Sequence, residues 1–172
     1  MTLANLVTLL RLLLIPAVVW LHCAHAPGQA AVVFALAAAT DALDGWLARR
    51  RGEISTTGKW LDPVADKLLQ ATGLILVAAS GFAPLWIVLL LLGKELALIV
   101  GGAWLLSQHK VVSARPLGKA ASLLLFPALV AGLANLFALR FLLYTGAALS
   151  LLAGLDYLLV VIRASSNSTH AG

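Results

Sequence analysis

The chain has 172 residues, 62% of them hydrophobic and 11% charged, with a mean hydropathy of +1.00 and a formal net charge of +5. Soluble domains average about 45–50% apolar and about 25% charged residues, so this composition excludes an ordinary soluble core and points to an integral membrane protein. The positive charge sits in short stretches between apolar runs, with no basic stripe interleaved with aromatics, which argues for membrane orientation and against nucleic acid.

A spanning helix takes about 20 apolar residues, so the chain holds at most about six. The first segment begins Leu3-Ala-Asn5-Leu-Val-Thr8-Leu-Leu-Arg11, with Asn5, Thr8 and Arg11 three apart and therefore on one helix face. It reads as an interfacial helix leading into a first span near Leu12–Leu21, retained rather than removed as a signal peptide. Pro27 and Gly28 break the chain before a second span over 30–47. A polar, basic loop over 49–58 precedes a third span over 60–79. Gly81 to Pro84 forms a tight turn, and a fourth span covers 85–106. After a polar loop over 107–116, a fifth span covers 117–133 with Pro127 as a kink, and a sixth covers 141–162. The expected fold is all-α: six transmembrane helices behind an N-terminal interfacial helix, one membrane domain over 1–163 and a disordered Ser/Asn-rich tail over 164–172. Arg49, Arg50, Arg51, Lys59, Lys110, Arg115, Lys119 and Arg163 fall on one side and Arg140 on the other. By the positive-inside rule both termini face the cytoplasm, in a bacterial-type cytoplasmic membrane.

Four of the seven acidic residues are aspartates within 26 positions: Asp41, Asp44, Asp62 and Asp66. Carboxylates at a membrane edge are costly and mark function. Asp41 and Asp44 are i, i+3 at the end of the second span, and Asp62 and Asp66 are i, i+4 at the start of the third, so each pair projects from one helix face. A short loop makes the two helices antiparallel neighbours, which brings both pairs to one depth. Four facing carboxylates repel, and a hard divalent cation, Mg²⁺, Mn²⁺ or Ca²⁺, relieves that repulsion. Gly45 leaves room beside Asp44, Ala48 keeps the next turn small, and Arg49 offers a fork for phosphate. These residues read as metal-assisted phosphoryl chemistry at the cytoplasmic face. The alternative, solvated carboxylates paired with nearby arginines, fits poorly in a chain with so few acids.

The string Asp41-Ala-Leu-Asp44-Gly45-Trp-Leu-Ala48-Arg49, eight residues, then Gly58-Lys-Trp-Leu-Asp62-Pro-Val-Ala-Asp66 matches every fixed position of D-x2-D-G-x2-A-R-x8-G-x3-D-x3-D. On these residues the chain resembles the CDP-alcohol phosphotransferase family. The resemblance implies metal-dependent transfer of a phosphatidyl-type group from CDP-diacylglycerol to an alcohol with release of CMP, using Mg²⁺ or Mn²⁺. It implies that Asp41, Asp44 and Asp62 bind metal and that Asp66 adds a ligand or acts as general base. Asn5, Thr8, Asp44, Gly45, Ala48, Arg49 and Gly58 would line the CDP site. A homodimer is implied as well.

The run Leu61-Asp62-Pro63-Val-Ala65-Asp66-Lys67 resembles the branch of the family whose acceptor is glycerol 3-phosphate or phosphatidylglycerol. Glycerol 3-phosphate is therefore the expected acceptor, with phosphatidylglycerol or an inositol phosphate as alternatives. An anionic acceptor needs cations. Lys94, inside the fourth span, should face a cavity rather than lipid, and with Arg115 and Lys119 it would form a phosphate pocket. Lys94 could instead simply pair with Glu95. The branch usually carries Arg-Glu where this chain has Lys94-Glu95, and a second lysine where it has Ala121. A divalent-cation transporter is the non-enzyme reading; acids near one membrane face and the lack of a visible inverted repeat argue against it. His22, Cys23 and His25 give three soft ligands without a fourth and read as interfacial residues. Asp156 is a lone acid in the sixth span with Arg163 as a candidate partner.

Overall fold

The computed structural model describes the backbone of residues 3–51, 58–107 and 116–169, and the side chains of 7–40, 64–105 and 117–159. The described residues form six α-helices and one 3₁₀ turn, with no strand among them: α1 Leu3–Cys23, α2 Pro27–Arg51, α3 Gly58–Ala79, α4 Leu85–Ser107, α5 Pro116–Leu133, the turn Phe137–Leu139, and α6 Arg140–Thr169.

α1 is continuous from Leu3 to Cys23 and accommodates Pro16 in its interior. The interfacial stretch and the first span are thus one helix, because nothing between Leu3 and Ile15 breaks the backbone ladder. Pro27 opens α2, where a missing N–H costs nothing, and α2 runs on through the arginines to Arg51. α3, α4 and α5 begin and end close to the bounds expected from sequence. α6 continues to Thr169, into the segment expected to be a disordered tail, since no Gly or Pro interrupts 164–169. Parts of the two polar loops, 52–57 and 108–115, lie outside the described residues.

Helix ends are fixed by a repeated cap. The Ala26 N–H donates to the Leu21 carbonyl and the His25 N–H to that of His22; Leu136 donates to Ala131 and Asn135 to Gly132 in the same pattern. Both are Schellman closures, with His25 (φ 57°) and Asn135 (φ 58°) in the left-handed conformation that glycine usually fills. These tight turns reverse the chain, so α1 and α2, and α5 and α6, lie antiparallel.

α5 packs on α2, α3 and α6; α1 packs on α2 and α3; α4 bridges α3 and α6. The core they enclose includes Phe34, Leu69, Leu74, Val77, Phe82, Leu91, Leu125, Leu129 and Leu143. α2 and α3 meet where the Phe34 ring lies against Gly73: a Cβ at position 73 would stand 2.8 Å from that ring. Outward-facing positions are apolar on every helix, among them Leu13, Leu36, Ile75, Val100, Leu123 and Leu155. Soluble monomers seldom expose contiguous apolar patches above a few hundred Å². Among the described residues, Leu85–Leu105 and Phe137–Leu159 are long and apolar enough to cross a bilayer.

At the end of the bundle away from the aspartate motif, Arg140 ties two turns together. Its Nη2 donates to the Gly81 carbonyl at 2.5 Å, and its guanidinium lies 4.6 Å from the centroid of Phe137 and 5.8 Å from that of Phe82.

Candidate active site

The Phe34–Gly73 contact gives a common origin for the aspartates. Asp41 lies seven residues beyond Phe34 on α2, and Asp66 lies seven residues before Gly73 on α3. At about 1.5 Å per residue both backbone positions are about 10 Å from that contact toward the same end. Asp44, ten residues beyond Phe34, and Asp62, eleven before Gly73, share the next level at about 15 Å. The backbone register therefore stacks the four positions as two levels, Asp41 with Asp66 and Asp44 with Asp62.

The side chains of Asp41, Asp44 and Asp62 lie outside the described residues, as do those of Asn5, Gly45, Ala48, Arg49 and Gly58. Their backbones belong to α2 (positions 41, 44, 45, 48 and 49), to α3 (58 and 62) and to α1 (5). Asp66 is half-buried and has an interaction partner. On α1, Thr8 and Arg11 are completely buried, and neither is without a partner. Arg11 falls on the face of Asn5 and Thr8, as the three-residue spacing requires; sequence reasoning gave it no role.

One residue past Asp66 a cavity of about 310 Å³ with charged groups in a largely apolar wall opens in the bundle. α3 contributes Lys67 and Gln70; α4 contributes Lys94 and Glu95; α5 contributes Gly118, Lys119 and Ser122 from its first turns; α6 contributes Ser150 and Tyr157. Glu95 is the centre of an ion triad. It accepts from Lys67 across the α3–α4 seam and pairs with Lys94 at 2.5 Å. Lys94 also donates to Ser150 Oγ on α6 at 2.7 Å. The side chains of Lys94 and Glu95 are only 14% and 11% exposed, so these charges are shielded from bulk screening.

Lys94 thus satisfies both sequence readings at once: it pairs with Glu95 and it faces a cavity. Lys119 joins it on the cavity wall, whereas Arg115 lies outside the described residues. Lys67, Gln70, Ser150 and Tyr157 are wall residues that sequence reasoning left without a role. Lys67 carried a signal, since a cation directly after Asp66 in an apolar helix needs a partner. Three ammonium groups against one carboxylate leave two net positive charges, complementary to a phosphomonoester, which is close to dianionic at neutral pH.

Among the described residues no three His, Cys, Asp or Glu side chains come close enough to hold a metal, so His22, Cys23 and His25 form no such cluster. Asp156 has a partner within the structure.

Residues 1–155 match the family model described as CDP-alcohol phosphatidyltransferase, and the aspartate motif, both levels of the stack and nearly all of the cavity wall fall within that span. The chain belongs to the CDP-alcohol phosphatidyltransferase family. Among its curated relatives is a CDP-diacylglycerol–glycerol-3-phosphate 3-phosphatidyltransferase of Bacillus subtilis, 38% identical over 96 residues, covering 56% of this chain and 49% of the relative. The Pseudomonas fluorescens protein of the same name is 40% identical over 116 residues, covering 61% and 56%. A CMP-forming cardiolipin synthase of Streptomyces coelicolor is 37% identical over 106 residues, covering 58% and 49%. The chain spans about half the length of these relatives. Within the family frame, the cavity occupies the space between the motif helix α3 and the later helices α4–α6.

Proposed function

We propose that this family member transfers a phosphatidyl group from CDP-diacylglycerol to glycerol 3-phosphate and releases CMP. The observation that carries the reading is the trilysine cavity beginning one residue past Asp66. It offers a compact, doubly positive site beside the aspartate motif, and curated relatives bear the name of this activity.

Asp41, Asp44, Asp62 and Asp66, whose backbone positions share one end of two packed helices, would supply an all-oxygen donor set, which suits Mg²⁺ or Mn²⁺. Such an ion would offset the charge of the pyrophosphate and stabilise the departing CMP. The chain's own residues do the rest. Lys67, Lys94 and Lys119, with Arg115, hold the acceptor's phosphate. Asp66 takes the proton from the acceptor hydroxyl as its oxygen bonds to the lipid-linked phosphorus, and the bond from that phosphorus to the CMP oxygen breaks. Asn5, Thr8, Gly45, Ala48, Arg49 and Gly58 line the nucleotide site. In this reading the six helices lie in a bacterial cytoplasmic membrane, a setting their apolar exterior supports, the aspartate end faces the cytoplasm, and the protein works as a homodimer.

One observation favours a second acceptor. An apolar groove of about 480 Å³ between α4 and α6 shares Lys94, Leu98 and Tyr157 with the lysine cavity. It would receive an acyl chain if the acceptor were a lipid such as phosphatidylglycerol, giving cardiolipin.

CMP release by purified protein with CDP-diacylglycerol and Mg²⁺ or Mn²⁺ tests these readings, with glycerol 3-phosphate, phosphatidylglycerol, inositol phosphate, serine or no acceptor in parallel. Release with glycerol 3-phosphate alone supports the main reading. Release with phosphatidylglycerol alone replaces it with the second. No release with any acceptor rejects both.

A further inference from the structure

α6 carries none of the motif, yet it shapes the cavity at its most charged point. Gly154 is buried, and a Cβ there would stand 2.8 Å from Lys94 Cγ and 3.0 Å from Lys94 Cδ. These are atoms in the middle of the lysine stem, not its mobile tip. One turn earlier on α6, Ser150 accepts from the Lys94 ammonium at 2.7 Å, and that ammonium also pairs with Glu95 at 2.5 Å. The stem lies in the space that Gly154 leaves open, and the head is held from two sides. A lysine ammonium has three N–H donors. Glu95 and Ser150 engage two, and the third remains for a ligand in the cavity.

We propose that Gly154 and Ser150 are positioning residues that aim Lys94 at the acceptor's phosphate, so that α6 sets the affinity for a phosphomonoester acceptor. The proposal rests on the acceptor reading above. A methyl group at 154 would force the Lys94 stem into another rotamer and draw its head away from Ser150. Removing the Ser150 hydroxyl would leave the head held by Glu95 alone. Both changes act on the acceptor through Lys94, and both residues lie on α6, which carries none of the motif aspartates.

The test uses the full chain in detergent or lipid nanodiscs, with radiolabelled glycerol 3-phosphate as the probe. Equilibrium binding is measured for wild type, Gly154→Ala, Ser150→Ala, Lys94→Ala and the double variant Gly154→Ala/Lys94→Ala. KM for glycerol 3-phosphate and for CDP-diacylglycerol is measured beside it. Loss of one charge-assisted hydrogen bond corresponds to about tenfold in affinity. The expected result is binding about tenfold weaker, and a KM for glycerol 3-phosphate about tenfold higher, in Gly154→Ala and Ser150→Ala. KM for CDP-diacylglycerol stays near wild type. The double variant binds no more weakly than Lys94→Ala, because a residue that acts through Lys94 has no further effect once it is gone.

Unchanged binding in both single variants, or losses that add to that of Lys94→Ala, would overturn the positioning role while leaving the acceptor reading in place. Absence of binding by the wild type would overturn both, and CMP release with another acceptor would then show that phosphatidyl transfer itself survives. If Gly154→Ala fails to fold, Ser150→Ala and its own cycle with Lys94→Ala carry the same test.

Discussion

Lys67 on α3 donates to Glu95 on α4, so the residue that follows Asp66 in the chain is tied to the neighbouring helix by a charged hydrogen bond. The contact fixes how far α3 turns about its axis at the point where the proposed base leaves it. Glu95 is one acid shared between two lysines, and its removal leaves the shielded Lys94 ammonium without its counter-charge and close to that of Lys67. Breaking a buried charge pair from one side costs about 3–5 kcal/mol. Glu95→Ala should therefore unfold more readily, as measured by thermal or denaturant unfolding in detergent. Lys67→Met should be milder, because Lys94 still partners Glu95; it should chiefly raise KM for the anionic acceptor.

Asp66→Asn keeps the shape of the side chain and removes its basicity. General-base catalysis typically contributes about 10²–10⁴-fold. CMP release should fall by that range at saturating substrates, with binding of glycerol 3-phosphate retained. Full activity in this variant would remove Asp66 from the proposed proton transfer.

Gly73 is the point where α2 and α3 touch through the Phe34 ring. Gly73→Ala would press a methyl group into that ring, and overpacking of this kind costs about 1–3 kcal/mol. A lower melting temperature is expected. Phe34→Leu in the same chain should restore part of the loss by yielding volume on the opposite side.

His25 and Asn135 hold the left-handed position in two helix caps. A side chain there costs on the order of 1 kcal/mol, less for Asn than for other residues, because Asn tolerates this conformation. His25→Gly should raise the melting temperature, while Asn135→Gly should change it little. Equal effects at the two positions would contradict this assignment of strain.

Helix positions were legible because apolar runs and breakers are local signals: Pro27, Gly81, Pro84 and Pro116 stand at or beside the ends of α2, α3, α4 and α5. Helix ends in polar sequence were not. α2 persists through Arg49–Arg51 and α6 through Ala164–Thr169, since polar residues without Gly or Pro do not stop a helix. The aspartate string announced the family through its spacing, and the antiparallel pairing of α2 and α3 followed from their short connection. The cavity was only half legible. Lys94 and Lys119 stood out as charges in or beside apolar runs. Lys67 finding Glu95, and Lys94 finding Ser150 and Gly154, depend on how α3, α4 and α6 are rotated against one another, which side-chain packing decides and no local pattern records.

The Arg140 contacts pin the end of the bundle away from the aspartates. One cation laces the α3–α4 turn to the α5–α6 turn, while two tight caps close the chain reversals at that same end. The molecule is built like tongs riveted at the back. In the proposed reaction, any spread of the helices that admits a nucleotide-linked lipid and releases CMP would hinge about this far end, with the hydrophobic core undisturbed.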